Sequence, residues 1–227
     1  MSESTSPAPE APAFEAPVVN WKAHLELVSK HAENIGGSID WLSTVYFGEA
    51  FIGEGNEMAH PTVLIGPMNG PVGHAACFAF ANPQRSHTPM MAVVRPNVRA
   101  PIFTVVVNEV SMQKLDQAVL LGGPMQRALA DVVRHCCHYG VLPRSVSTRQ
   151  SIAIVFQGFI HPAATDVHKI YAWNYWAGVE CIVRAITRTP SLETIEADTG
   201  EHPYSVCPMA KLPEGLKPLD LESKSSH

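Results

Sequence analysis

Between Val45 and Asn82 the chain reads VYFGEAFIGEGNEMAHPTVLIGPMNGPVGHAACFAFAN, and this stretch constrains the fold more than any other. Val45, Phe47 and Ala50 to Ile52 have strand character. Gly53-Glu54-Gly55-Asn56 supplies a turn, since Gly and Asn tolerate positive φ. A second extended run from Met58 to Ile65 follows, then a Gly66–Gly70 loop, Pro71 in a first helical turn, and a helix from His74 to Ala81 stopped by Asn82-Pro83. Pro61 has no amide to give a ladder and belongs at a strand edge or bulge; it also holds His60 in an extended conformation. By pattern alone His60 is an edge-strand histidine. Its place beside a glycine-rich turn is that of a site residue.

A chain of 227 residues holds one domain with its own core, plus tails. The first 17 residues, MSESTSPAPEAPAFEAP, have no basic residue and three glutamates, which reads as neither secretory signal nor transit peptide. Their Pro/Ala/Ser bias predicts a disordered tail over 1–18. A helical extension is expected over 19–44, with Val18 to Ile35 amphipathic and ended by Gly36-Gly37. The main domain is placed at 45–188 and a polar tail at 189–227. Of the formal charge of −5, both tails are acidic and residues 19–188 carry +2, so no nucleic-acid stripe is expected. No apolar run approaches the roughly 20 residues of a membrane span.

Five cysteines, Cys77, Cys136, Cys137, Cys181 and Cys207, with no C-x-x-C pair, predict reduced thiols and a cytoplasmic location. His135-Cys136-Cys137-His138 lies in a helical pattern, where neighbours point about 100° apart. It reads as core cysteines flanked by surface histidines rather than as a metal site.

Further along, Met90 to Val94 and Phe103 to Val107 are apolar runs expected as strands, the first covered on both faces. Gln113 to Leu121 reads as a short helix. Gly122-Gly123-Pro124 is expected to restart the chain, with Gly123 at a cap and Pro124 at the first helical position. Met125, Ala128, Leu129, Val132, Val133 and Cys136 then form one apolar helical face closed by Gly140. Gln126 lies off that face, a solvated first-turn residue on pattern alone. Ile152 to Ile160 is the last strand. Thr165 caps a helix to about Thr187 whose aromatic run, Tyr171, Trp173, Tyr175 and Trp176, suits a core or a subunit interface. The elements give an α/β fold: one mixed sheet with helices packed on one face.

From Gly48 to Arg188 the chain resembles the formaldehyde-activating enzyme family, the tetrahydromethanopterin-dependent lyases of one-carbon metabolism. The resemblance is carried by GEAFIGEGNEMAHPTVLIGP, ANPQRSHTPMMAVVRPN, GGPMQRALADVV and FIHP with KIYAWNYWAGVECIVRAI, in that order. It implies a fold like domain 2 of ribosomal protein S5, a ring-shaped homopentamer, and an active site between subunits. The family's catalytic histidine falls on His60 and its pterin-contacting glutamine on Gln126. Four further substrate-contacting positions fall on Thr62, Met91, Glu109 and Ser111, where the family carries Asp, Leu, Lys and Thr.

The activity so implied joins formaldehyde to tetrahydromethanopterin, a co-substrate, with no covalently bound cofactor. Loss of water from the carbinolamine is the hard step, and His60 is the expected general acid. Thr62 supplies no carboxylate beside it, so Glu57 or Glu109 is the expected source. The alternative is a non-catalytic pentameric homologue that binds a pterin or senses formaldehyde, a reading favoured by Glu109 in place of a lysine.

Overall fold

The computed structural model describes residues 39–197. Seven strands are numbered in chain order: β1 (Tyr46–Glu49), β2 (Thr62–Pro67), β3 (Met90–Met91), β4 (Val93–Arg95), β5 (Val98–Arg99), β6 (Phe103–Asn108) and β7 (Ile152–Gly158). Five make one mixed sheet in the order β1-β2-β7-β6-β3, and β4 with β5 forms a separate hairpin. Among the described residues only β6 and β7 pair in parallel. The helices are α1 (Pro71–Ala81), α2 (Leu115–Leu120), α3 (Gln126–Tyr139), α4 (Val146–Ser151) and α5 (Val167–Thr187). The chain divides into two units after Thr189, and a short helix, α6 (Leu192–Ala197), is the described part of the second. The expected tail over 1–18, the Val18 to Ile35 helix, Cys207 and the chain after Ala197 lie outside the described residues.

The period-2 pattern of β7 divides the core. Ile152, Ile154 and Phe156 join Val63, Ile65 and Val106 in the larger cluster, which α3 and α5 cover. Ala153 and Val155 join Val105, Val72 and Ala76 in a smaller one beneath α1. Helices therefore pack on both faces, which corrects the one-sided layer expected from sequence. The reason is in the strands: β7 is apolar at successive positions, so each of its faces needs a cover.

Close backbone approach fixes α5 on the larger face. At Gly48 a Cβ would stand 2.2 Å from the Cys181 carbonyl oxygen and 2.8 Å from the Ala185 amide nitrogen, so β1 seats directly on the helix backbone. The aromatic run of α5 divides accordingly, with Tyr171 and Tyr175 buried and Trp173 and Trp176 packed partly buried against the cluster.

Four local expectations change. The Met90–Val94 run breaks at Ala92, whose amide bonds the Thr104 carbonyl while its own carbonyl accepts the Ala100 amide, both at 2.9 Å. Strand β3 is an edge rather than an interior strand, with Met91 39 % exposed. The Gly122-Gly123-Pro124 segment does not restart the chain. A π-helical turn over Leu121–Met125 carries α2 into α3, and its wider ring takes in a proline that has no amide. The cap of α5 is Asp166, not Thr165; its carboxylate accepts from the His168 and Lys169 amides, both at 3.0 Å, and these bonds hold its pKa below the usual carboxylate value. Helix α4, capped by Ser145, is an addition. The apolar face from Met125 to Cys136 is buried as the spacing predicts, and Gly140 ends α3 at φ +83°.

Candidate active site

His60 sits on the hairpin arm between β1 and β2. Ala59 and Pro61 on either side are buried, and both are tied across the arm: Ala59 and Ile52 exchange backbone bonds of 2.8 and 2.9 Å, and the Pro61 carbonyl accepts from the Ala50 amide at 3.2 Å. The same carbonyl accepts the Cys181 thiol at 2.9 Å, anchoring the arm to α5. His60 is thus a partly exposed side chain on a backbone tied on both sides. Its ring stands edge-on to Phe51 at 5.8 Å, and its Nε2 pairs with Oε1 of Glu49.

Glu49 is the carboxylate that the sequence reading missed. Of the two expected sources, Glu57 uses Oε1 to accept the Thr165 and Asp166 amides at 3.1 and 3.4 Å, closing the turn onto the start of α5. Glu109 is exposed on the sheet end, its amide bonded to the Gly158 carbonyl at 2.7 Å. A signal for Glu49 was present. It lies on the opposite arm of the hairpin and pairs with Thr62, two residues from His60, so its side chain shares that face.

Register places the remaining residues. Glu49, Thr62, Gln157 and Val107 form one row across β1, β2, β7 and β6 on the α1 face. Met91 pairs with Val105 on the same face, one row along. Glu109 and Gln157 line a cleft of about 610 Å³ on this side, with Phe78 and Asn82 of α1 and its end and Arg85 beyond. Asn108, buried beside that cleft, donates to the Ser86 and Val110 carbonyls at 2.8 and 2.7 Å and accepts the Thr88 amide at 3.1 Å, which fixes the 86–88 loop. Sequence reasoning did not single it out. Ser111 is exposed beyond β6.

Gln126 does not join this group. It is 7 % exposed at the start of α3, on the other face, so it is not the solvated residue that pattern alone suggests. Its Oε1 accepts the Val93 amide at 2.8 Å, and it lines a second, mostly apolar cleft of about 600 Å³ with Val93, Pro124 and Tyr171. Three inter-strand steps of about 4.8 Å each, roughly 14 Å, separate β2 from β3, and the Gln126 partner Val93 begins β4 two residues after β3. One chain therefore places His60, Glu49, Thr62 and Glu109 on one face of the sheet and Gln126 on the other.

Three of the four described cysteines, Cys136, Cys137 and Cys181, are buried, and Cys77 is exposed. Burial raises all three buried thiols, Cys137 to about 11 despite Arg149 beside it. No helix among the described residues is long and apolar enough to cross a membrane.

The formaldehyde-activating enzyme family model matches residues 47–205, past the domain end expected at residue 188. The chain is 41% identical over 157 residues to the bifunctional enzyme Fae/Hps of Methanocella arvoryzae, covering 68% of this chain and 39% of that one. It is 39% identical over 167 residues to the protein of the same name from Archaeoglobus fulgidus, covering 73% and 42%. The chain spans about two fifths of the length of those relatives. It is 38% identical over 160 residues to the 5,6,7,8-tetrahydromethanopterin hydro-lyase of Methanosarcina barkeri, 70% of this chain and 89% of that one. With the matched stretch running from β1 through α5, the chain belongs to the formaldehyde-activating enzyme family.

Proposed function

We propose that this protein is a lyase that condenses formaldehyde with tetrahydromethanopterin to methylene-tetrahydromethanopterin in one-carbon metabolism, with His60 as general acid. The observation that carries the reading is the His60–Glu49 pair, held on a fixed arm beside Thr62 in a chain of this family. One pterin amine adds to formaldehyde to give a carbinolamine. The protonated His60 ring gives its proton to the carbinolamine hydroxyl, the C–O bond breaks, and water leaves an iminium. The second pterin nitrogen attacks that carbon, and its displaced proton restores the imidazolium. Glu49 accepts from Nε2–H, so the proton in transit is carried on Nδ1, and the carboxylate stabilises the charged ring each time it forms.

Thr62, Met91, Glu109 and Ser111 line the His60 side of the substrate cleft, and Gln126 supplies the other wall. Their separation on opposite faces of one sheet supports a site formed between copies, the His60 face of one meeting the Gln126 cleft of the next, in a homopentameric ring of S5 domain 2-like subunits. Exposed Phe47, Phe78 and Phe80 on the His60 face support such a contact. The three buried free thiols support a cytoplasmic setting.

The test is turnover of formaldehyde and tetrahydromethanopterin by the purified protein. The expected result is a rate well above the uncatalysed condensation, lowered roughly 10²- to 10⁴-fold by His60→Ala. A wild-type rate equal to the uncatalysed one defeats the reading.

A further inference from the structure

The wall of the Gln126 cleft carries charge that the condensation step does not use. Asp131, one turn along α3 from Arg127, is 2 % exposed. Its Oδ2 accepts Arg127 Nε at 2.7 Å and the Tyr171 hydroxyl at 3.0 Å, and its Oδ1 accepts Arg134 Nε at 3.1 Å. Arg134 Nη2 also stands 3.0 Å from Oδ1, so both carboxylate oxygens are committed to donors within the chain. Burial and the adjacent carboxylate push the Tyr171 phenol up, which keeps it a donor to Asp131.

One buried negative charge faces two guanidiniums, and a surplus positive charge remains. Arg134 turns to His135, its NH2 group 2.8 Å from the imidazole Nε2, and does not line the cleft. Arg127 does line it, and with Nε committed to Asp131 its two terminal nitrogens bond no other described residue. Arg95, on β4, also lines the cleft, and its side chain makes no ion pair or hydrogen bond among the described residues. Gln126 has spent its carbonyl on Val93, so its amide group offers donors only. Every one of these three side chains presents donors, and the wall between them is Val93, Pro124 and the Tyr171 ring.

We infer that this cleft holds an anion-recognition subsite, in which Arg127, fixed by buried Asp131, and Arg95 grip a carboxylate or phosphate of a ligand whose flat body lies on the apolar wall. Arg127 is half exposed while Asp131 is buried, and a buried carboxylate costs more than an apolar residue of the same size. What the arrangement supplies is a guanidinium whose orientation is set beforehand, leaving its outer edge for two parallel bonds to an anion. The inference rests on the pterin reading of the same cleft, and assigns the acidic tail of the co-substrate, rather than its ring alone, to this wall.

Calorimetry on the purified full chain tests it with three ligands. Tetrahydromethanopterin carries carboxylates and a phosphate, tetrahydrofolate carries carboxylates only, and 6-methyltetrahydropterin carries neither. Arg127→Gln is expected to weaken tetrahydromethanopterin about tenfold, one charge-assisted contact, and to leave 6-methyltetrahydropterin within about twofold. Arg127→Lys should recover part of the loss, and Arg95→Gln should show a smaller loss of the same kind. A parallel loss for tetrahydrofolate assigns the subsite to a carboxylate; an unchanged tetrahydrofolate assigns it to the phosphate. Equal weakening of tetrahydromethanopterin and 6-methyltetrahydropterin, or weakening of neither, overturns the subsite while the pterin reading stands. If wild type binds no pterin, the pterin reading falls and the subsite with it.

Discussion

Strand β7 serves two faces that are finished differently. Toward α3 and α5 it presents Ile152, Ile154 and Phe156, all fully buried, in a cluster that continues to Tyr175 and Ile182. Toward α1 it presents Ala153, Val155 and the exposed Gln157, in a cluster of five buried residues under one helix. Phe78, on α1, is 64 % exposed, and Phe47, on β1, is 74 % exposed. The first face is closed within the chain. The second leaves large aromatic rings in solvent on the face that carries Glu49 and Thr62, as a surface does when another surface is to cover it.

The largest expected difference between the faces is in folding energy. Phe156→Ala removes a fully buried ring and should cost about 3–5 kcal/mol in urea denaturation. Phe78→Ala should change folding by no more than about 0.5 kcal/mol, as exposed substitutions do, and instead weaken self-association seen by sedimentation. Equal costs at the two positions would remove the contrast.

A smaller effect tests the chemistry on the open face. Glu49→Gln keeps shape and removes the charge that faces His60, so kcat should fall about tenfold, or about 1.4 kcal/mol of transition-state stabilisation, with KM and melting temperature nearly unchanged. A rise in KM with a drop in melting temperature, and no separate fall in kcat, would make Glu49 a structural residue only.

The order of elements was legible because their signals are local. Pro71 at the start of α1, the 3.6-residue period of Met125 to Cys136 and Gly140 at its end need no tertiary information. The Ala/Cys/Phe richness of α1 reads as a mostly buried helix, but only Val72, Gly73 and Ala76 are buried, and nothing local says that it covers the face opposite α3 and α5. Pairing of β7 with both β2 and β6 decides that, and such pairing joins residues 50 to 95 apart in sequence. The π turn at Leu121–Met125 was hidden for a different reason. Gly-Gly-Pro is a strong stop signal, and burial of Leu121 and Met125 overrode it. At the site, His60 and Gln126 were visible through the family's motifs. Glu49 stood in the same GEAF motif and was passed over because its partner lies across a hairpin. Asp131 and its arginines carry no motif, and a helical D-x-x-R spacing reads as a solvated face until burial is known.

The account's central claim is that the two partial sites, on opposite faces of each chain, complete one another between copies. Mixing two inactive variants tests it directly. His60→Ala and Gln126→Ala chains, each confirmed as folded, are co-expressed in equal amounts and assayed for formaldehyde-dependent turnover. If one copy supplies His60 and the next supplies Gln126, random assembly leaves about a quarter of the sites intact, and activity should return to about a quarter of wild type. If His60 and Gln126 act within one chain, no mixed assembly contains an intact site. Activity at the level of the two variants measured apart would contradict the account.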